Sequence, residues 1–212
     1  MKRQFHPLLV ILALFLLGSW SPAWAIDEGD GHLPDSGQPM GLRGCPAPPA
    51  GSTPESQAQA LIAAVNQFRQ AAGLVPATYH PLLAAAALAH SQDMSQNDFF
   101  DHIGSDGSTP RERVLRAGYS ATLVGENLAA GQPDAATVIY QWSQSIVHRT
   151  VLLLPELRDV GVGYVYDPHD QPNVDLGGGQ KGGPFCFYWT LDAGYQTGSP
   201  LTHRTFLPML VR

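Results

Sequence analysis

The stretch Asp98–Tyr119 reads DFFDHIGSDGSTPRERVLRAGY. Its second half is a helix start. Thr109 can serve as N-cap, Pro110 occupies the first helical position, and Glu112 lies three residues after the cap, which is a capping box. Gly118 ends the helix. Its first half is a Gly/Ser/Asp loop that carries His102 just after Phe99 and Phe100. His102 is open to three readings: a core histidine, a metal ligand or a catalytic base.

Upstream, Thr53 and Pro54 give the same N-terminal signal for a first helix. Leu61, Val65, Phe68 and Ala72 set its apolar face, and Gly73 stops it in a left-handed turn. HPLLAAAALAHSQDMSQNDFF (80–100) reads as a second helix. Its alanines allow another helix to pack close. His90 and Asp93 are expected there as a hydrogen-bonded surface pair. Downstream, PDAATVIYQWSQSI (133–146) reads as a helix that stops before His148, with Val138, Trp142 and Ile146 on one face.

The remainder is strand-like. RDVGVGYVYD (158–167) alternates Val160, Val162, Tyr164 and Tyr166 with small or apolar residues, and PFCFYWTLDAGY (184–195) is rich in aromatic types. The polar loop between them contains LGGGQKGG, read as a hairpin tip, so the two strands are expected to pair antiparallel. Helices followed by a strand pair indicate an α+β domain, with helices packed on an antiparallel sheet.

The ends read differently. Residues 1–25 combine Lys2 and Arg3, an apolar run and Ala23-Trp24-Ala25, the pattern of a secretory signal peptide, with an uncleaved anchor as the alternative. Residues 26–53 read as a flexible linker, 54–196 as the folded domain, and 197–212 as a tail that is either an edge strand or a docking segment. No membrane span is expected after signal cleavage. A net charge of −6 argues against a nucleic-acid partner. The two cysteines, Cys45 and Cys186, are expected to form a disulfide in an exported chain, free thiols being the alternative.

Glu126 lies between Val124 and Leu128, and His148 among Ile146, Val147 and Val151–Leu154. A carboxylate in apolar surroundings needs a partner, and a histidine is a suitable one. Ser145 stands three residues before His148, but no G-x-S-x-G element surrounds it, so capping or packing is its expected role. Asn127 is expected to support a turn. Arg111, Arg113 and Arg116 read as a solvated helix face with one buried structural pair. Trp142, Tyr164, Tyr166, Phe187 and Trp189 read as core.

Taken in order, VNQFRQAAGL, DFFDHIGSDGSTPRERVLRAGY, GENLAAG, WSQSIVHRTVLLLP, VGVGYVYD and YWTLDAG resemble the CAP superfamily of cysteine-rich secretory proteins, antigen 5 and plant pathogenesis-related proteins. The spacing is similar to that of its bacterial secreted branch, from about Gln57 to Gly194. The resemblance implies an α-β-α sandwich with a central antiparallel sheet, and a cleft with two histidines and acidic residues. The family's histidines fall on His102 and His148, and its first glutamate on Glu126. Eukaryotic members carry a second glutamate where this chain has Ser145, so the four-residue set is incomplete.

These readings imply an extracellular module that binds lipid, a metal or a protein or cell-wall ligand. His102 and His148 would ligate Zn2+ or another divalent cation, and Glu126 would serve as a structural acid. The alternative is a metal-dependent, peptidase-like hydrolase in which Glu126 deprotonates a metal-bound water.

Overall fold

A computed structural model describes residues 44–196. The expectations for the signal peptide, for linker residues 26–43 and for the tail lie outside the described residues. Helix α1 (Pro54–Ala71) starts where the capping signal places it: the Thr53 side chain accepts from the Ser56 amide, and the Ser56 hydroxyl oxygen accepts in turn from the Thr53 amide. Leu61 and Val65 on its apolar stripe are fully buried, whereas Ala72 is exposed.

Next come β1 (Thr78–Tyr79), α2 (Pro81–Gln96), α3 (Pro110–Arg116), β2 (Leu123–Ala130), α4 (Ala135–Gln144), α5 (Ile146–Leu152), β3 (Asp159–Tyr166), a small β4–β5 pair (Val174–Asp175, Lys181–Gly182) and β6 (Phe187–Tyr195). The main sheet has strand order β1-β3-β6-β2. Its three long strands are antiparallel, with Val162 opposite Leu191 and Glu126 opposite Asp192. The short edge strand β1 pairs parallel with β3. The hairpin expected of residues 158–195 forms.

Two sequence expectations change here. GENLAAG is strand β2, and Asn127 supports no turn. Its side-chain amide donates to the His148 carbonyl at 3.0 Å, tying the edge strand to α5. The helix expected over 133–146 is α4, and a second helix that was not expected follows it at once. Ser145 adopts extended dihedrals (φ −86°, ψ 124°) between them, so His148 lies inside α5 rather than after a helix.

Side chains alternate across the sheet. Val160, Val162, Tyr164, Phe187, Trp189 and Leu191 face α1, α4 and α5, where Trp142 completes the core. On the other side lie α2 and α3, with Leu83, Val114 and Tyr119 packed together. The result is an α-β-α sandwich. All five aromatics read as core pack there; Tyr166 is partly exposed. Ala86 of α2 packs with Val114 of α3, but the tightest approach of the α2 alanines is to a strand. A Cβ on Gly161 would lie 2.0 Å from the Ala84 nitrogen, and one on Gly163 2.4 Å from the Ala87 carbonyl carbon.

Arg69 is fully buried on α1. It donates to the carbonyls of Val75, Leu152, Leu154 and Leu157, covering the C-terminal end of α5. Carbonyls at a helix C-terminus carry partial negative charge, which suits a cation. Cys45 and Cys186 form a disulfide with Cα atoms 5.4 Å apart. It closes a loop of 141 residues, worth about 5 kcal/mol on the chain-entropy estimate.

The close approach of α2 to β3 gives a direct test. Gly163→Ala should lower the unfolding free energy by about 3 kcal/mol, because backbone must move to admit the methyl group. Urea denaturation of the variant against the wild type measures it.

Candidate functional site

The site lies at the free edge of the sheet, where β2 meets loop 98–109 on one side and α5 on the other. Glu126 points to the α2/α3 side of β2, and only 2% of its side chain is accessible. Its charge is answered twice. Arg113 of α3 donates from Nη2 to Oε2 at 2.6 Å, and His102 donates from Nδ1 to Oε1 at 2.6 Å. Arg113 is the buried structural pair expected on the arginine-rich helix. Arg116 instead pairs with Asp106 at the surface.

Arg113 also shapes the loop that carries His102. Its Nη1 donates to the carbonyls of His102 (3.0 Å) and Ser108 (2.9 Å), clamping both sides of the bend. Two further anchors were read differently from sequence. His90 and Asp93 are not a surface pair. His90 is fully buried and donates from Nε2 to the Asp101 carbonyl at 2.9 Å. Asp93 accepts from the Ser105 amide and hydroxyl. Both residues pin the His102 loop to α2. The i, i+3 spacing suggested a mutual contact, but the loop carries backbone donors and acceptors that need partners.

His102 has its Nδ1 committed to Glu126 and its side chain 53% exposed, leaving Nε2 as the remaining ring nitrogen. The Glu126 hydrogen bond is the main cause that raises its pKa. His148 reaches the same edge from α5, with its ring stacked on Trp142 at 6.3 Å between centroids. Burial, and then the nearby charge of a protonated His102, lower its pKa. The expected apolar setting of His148 is only half present: Leu152 is buried, but Ile146 and Val147 are about three-quarters exposed, at 74% and 75%. Ser145 stands at the α4–α5 junction, and its side chain makes no cap hydrogen bond. The structure therefore joins His102 to Glu126 by direct contact and sets His148 within electrostatic range of His102.

Sequence reading missed Asp192. It sits on β6 directly opposite Glu126, is fully buried, and has no hydrogen-bond partner on either oxygen among the described residues. Burial and the Glu126 charge push its carboxyl well above the usual range. The signal available in YWTLDAG was an acid inside an otherwise aromatic and apolar strand.

The donor set for a metal is small. Among the described residues no group of three or more His, Cys, Asp or Glu side chains is arranged to hold a metal ion. His102 and His148 supply two imidazoles, and Glu126 already accepts from His102 and Arg113. The hydrogen bond from His102 Nδ1 to Glu126 is the kind of second contact that orients a metal-binding imidazole.

Because the folded-state pKa of His102 is raised, the extra stabilisation that its protonated form draws from Glu126 is fully present below the unfolded imidazole value and is lost as pH rises through the folded value. Glu126→Gln should bring the His102 midpoint down, measured by histidine-ring NMR. It should also cost about 3 kcal/mol, because it leaves Arg113 buried without its counter-charge.

Comparison with known proteins bears on the family and the fold. Residues 62–192 match the model of the Cysteine-rich secretory protein family, CAP. The YkwD protein of Bacillus subtilis is 35% identical over 105 residues, which cover 50% of this chain and 41% of that protein. The structure of an extracellular protein containing a SCP domain from Bacillus anthracis superposes with a TM-score of 0.55 at 25% identity, over 69% of this chain and 45% of that one. An outer surface protein from Borrelia burgdorferi shares the fold, with a TM-score of 0.53 at 18% identity over 65% of this chain and 92% of that one. The chain thus spans less than half of the YkwD and B. anthracis proteins. No helix among the described residues is long and apolar enough to cross a membrane. The family match over residues 62–192 and the α-β-α sandwich agree: the chain belongs to the CAP, or cysteine-rich secretory protein, family.

Proposed function

We propose that this chain is a secreted ligand-binding CAP module that acts outside the cell. The signal-peptide pattern at residues 1–25, the Cys45–Cys186 disulfide and the extracellular B. anthracis neighbour support export. The observation that carries the binding reading is a groove of about 840 Å3 between α1 and α2. Ala58 and Ile62 line one wall, Ala84 and Leu88 the other, and Val162 and Tyr164 the floor. Small side chains on both helices leave room for an apolar chain. Glu55, Gln59 and Asn66 of α1 add polar groups to the lining. A lipid with a long apolar body and a polar end matches that lining.

The histidine cleft is a second binding point in this reading. His102 and His148 would hold a divalent cation such as zinc, with water or an anionic ligand completing its shell. Such an ion supplies Lewis acidity when bound. Glu126 orients His102 and keeps its ring in one tautomer. The hydrolase reading asks Glu126 to take a proton from water, yet both its oxygens are engaged and its side chain is buried. The geometry therefore favours binding over hydrolysis.

Two measurements test this. Ala84→Trp should fill the groove and abolish binding of a fluorescent fatty acid, while leaving thermal stability within a few degrees of wild type. Zinc titrated calorimetrically into the wild type should give heat that the His102→Ala/His148→Ala double variant lacks. Equal fatty-acid binding by wild type and Ala84→Trp removes the lipid reading, and equal heats remove the cation.

A further inference from the structure

Asp192 and Glu126 face each other across β6 and β2, on the side of the sheet covered by α2 and α3. Directly opposed residues in such a pair have Cβ atoms about 5 Å apart, close enough for carboxyl groups to meet. Among the described residues, the titratable side chains whose charges bear on the pair include Arg113 from α3, His102 from the loop before it and His90 from α2; β3 presents Gly161 opposite Asp192. Arg113 gives its Nη2 to Glu126 and its Nη1 to two loop carbonyls. Neither oxygen of Asp192 receives a hydrogen bond from it or from any other described residue.

A fully buried carboxylate with no donor, set beside a second carboxylate, is unfavourable on two counts: lost hydration and like-charge repulsion. A proton on Asp192 removes both. The acid becomes a donor, and Glu126, directly opposite it, has spare acceptor capacity. A carboxylate offers about four lone-pair positions, of which His102 and Arg113 use two. The same proton satisfies one of the two orphaned oxygens.

We propose that Asp192 is kept as a neutral carboxylic acid that donates to Glu126, making it a positioning residue for His102. Three donors then converge on one carboxylate: an imidazole from the loop, a guanidinium from α3 and a carboxylic acid from the neighbouring strand. With its torsions fixed from three sides, Glu126 presents Oε1 to His102 in a single orientation. The state belongs to the protein alone, so it stands or falls independently of whether a cation or lipid binds.

Three readouts on metal-free protein test it. In wild type labelled with 13C at aspartate side chains, the Asp192 carboxyl carbon should keep the shift of a neutral acid from pH 5 to pH 8. A carboxylate shift at pH 7 overturns the proposal, and this measurement needs no variant. The second readout is stability against pH. A proton retained in the folded state and released on unfolding makes wild-type stability fall as pH rises above the unfolded carboxyl value. Asp192→Asn keeps a donor but needs no proton, so its Tm relative to wild type should rise from pH 4 to pH 8. An ionised Asp192 paired with Arg113 would give the opposite sign, with the variant losing most at pH 8.

The third readout separates positioning from general packing. The slowly exchanging Nδ1 proton signal of His102 should persist in Asp192→Asn and be lost or broadened in Asp192→Val. A signal equally sharp in both variants shows that Asp192 does not position the ring.

Discussion

A negative charge buried in an edge strand sets the conditions that the rest of this domain meets. Glu126 has no access to water that could hydrate it, so the fold must bring cationic and donor groups to it. Arg113 is delivered by a short helix whose start is fixed by the Thr109–Glu112 capping box. The same guanidinium then holds the loop backbone at His102 and Ser108, so neutralising the carboxylate and shaping the histidine loop are one act. A loop, a helix and a strand that follow one another in the chain are tied together at a single carboxyl group. Such a pair contributes less to net stability than to uniqueness, since it has one satisfactory arrangement and costs several kcal/mol when half-broken.

Much of the scaffold was legible in the sequence because the relevant signals are local. Thr53-Pro54 and Thr109-Pro110 start their helices where capping chemistry says they should. The alternation of Val160, Val162 and Tyr164 with glycines marks a strand, and Arg113 fits the one buried ion pair expected of its helix. Strand β2 was not legible, because Gly125, Asn127 and three small or polar neighbours hide its period. Its place is fixed by eight residues of pairing with β6, a long-range fact. Helix α5 was equally hidden: a stop was expected near Ile146, but β-branched Ile146 and Val147 gave no sign that a new helix starts there and crosses β2.

The polar interior was the least legible part. Arg69, His90 and Asp192 each look like surface residues when judged by type alone, and each is fully buried. Their burial follows from what they complete. Arg69 meets carbonyls at the end of a helix, His90 meets a loop carbonyl, and Asp192 meets its cross-strand acid. A single sequence shows the residue that needs a partner but not the distant backbone group that needs one as well. The candidate site itself was half legible: the sequence pointed to His102 and Glu126, while the groups that hold them, Arg113 excepted, emerged only from the packing.

The burial of Arg69 also bears on how the domain breathes. Helix α5 has seven residues, too few to persist on its own in water. It is held at its C-terminal end by the Arg69 guanidinium and along its length by the Asn127 amide. The helix that carries His148 therefore leans on these two side chains and on buried Leu152, so withdrawing either side chain loosens it while the sheet stays intact. Amide exchange in α5 would then run ahead of exchange in β3 and β6, and His148 would be the most readily displaced part of an otherwise firm edge.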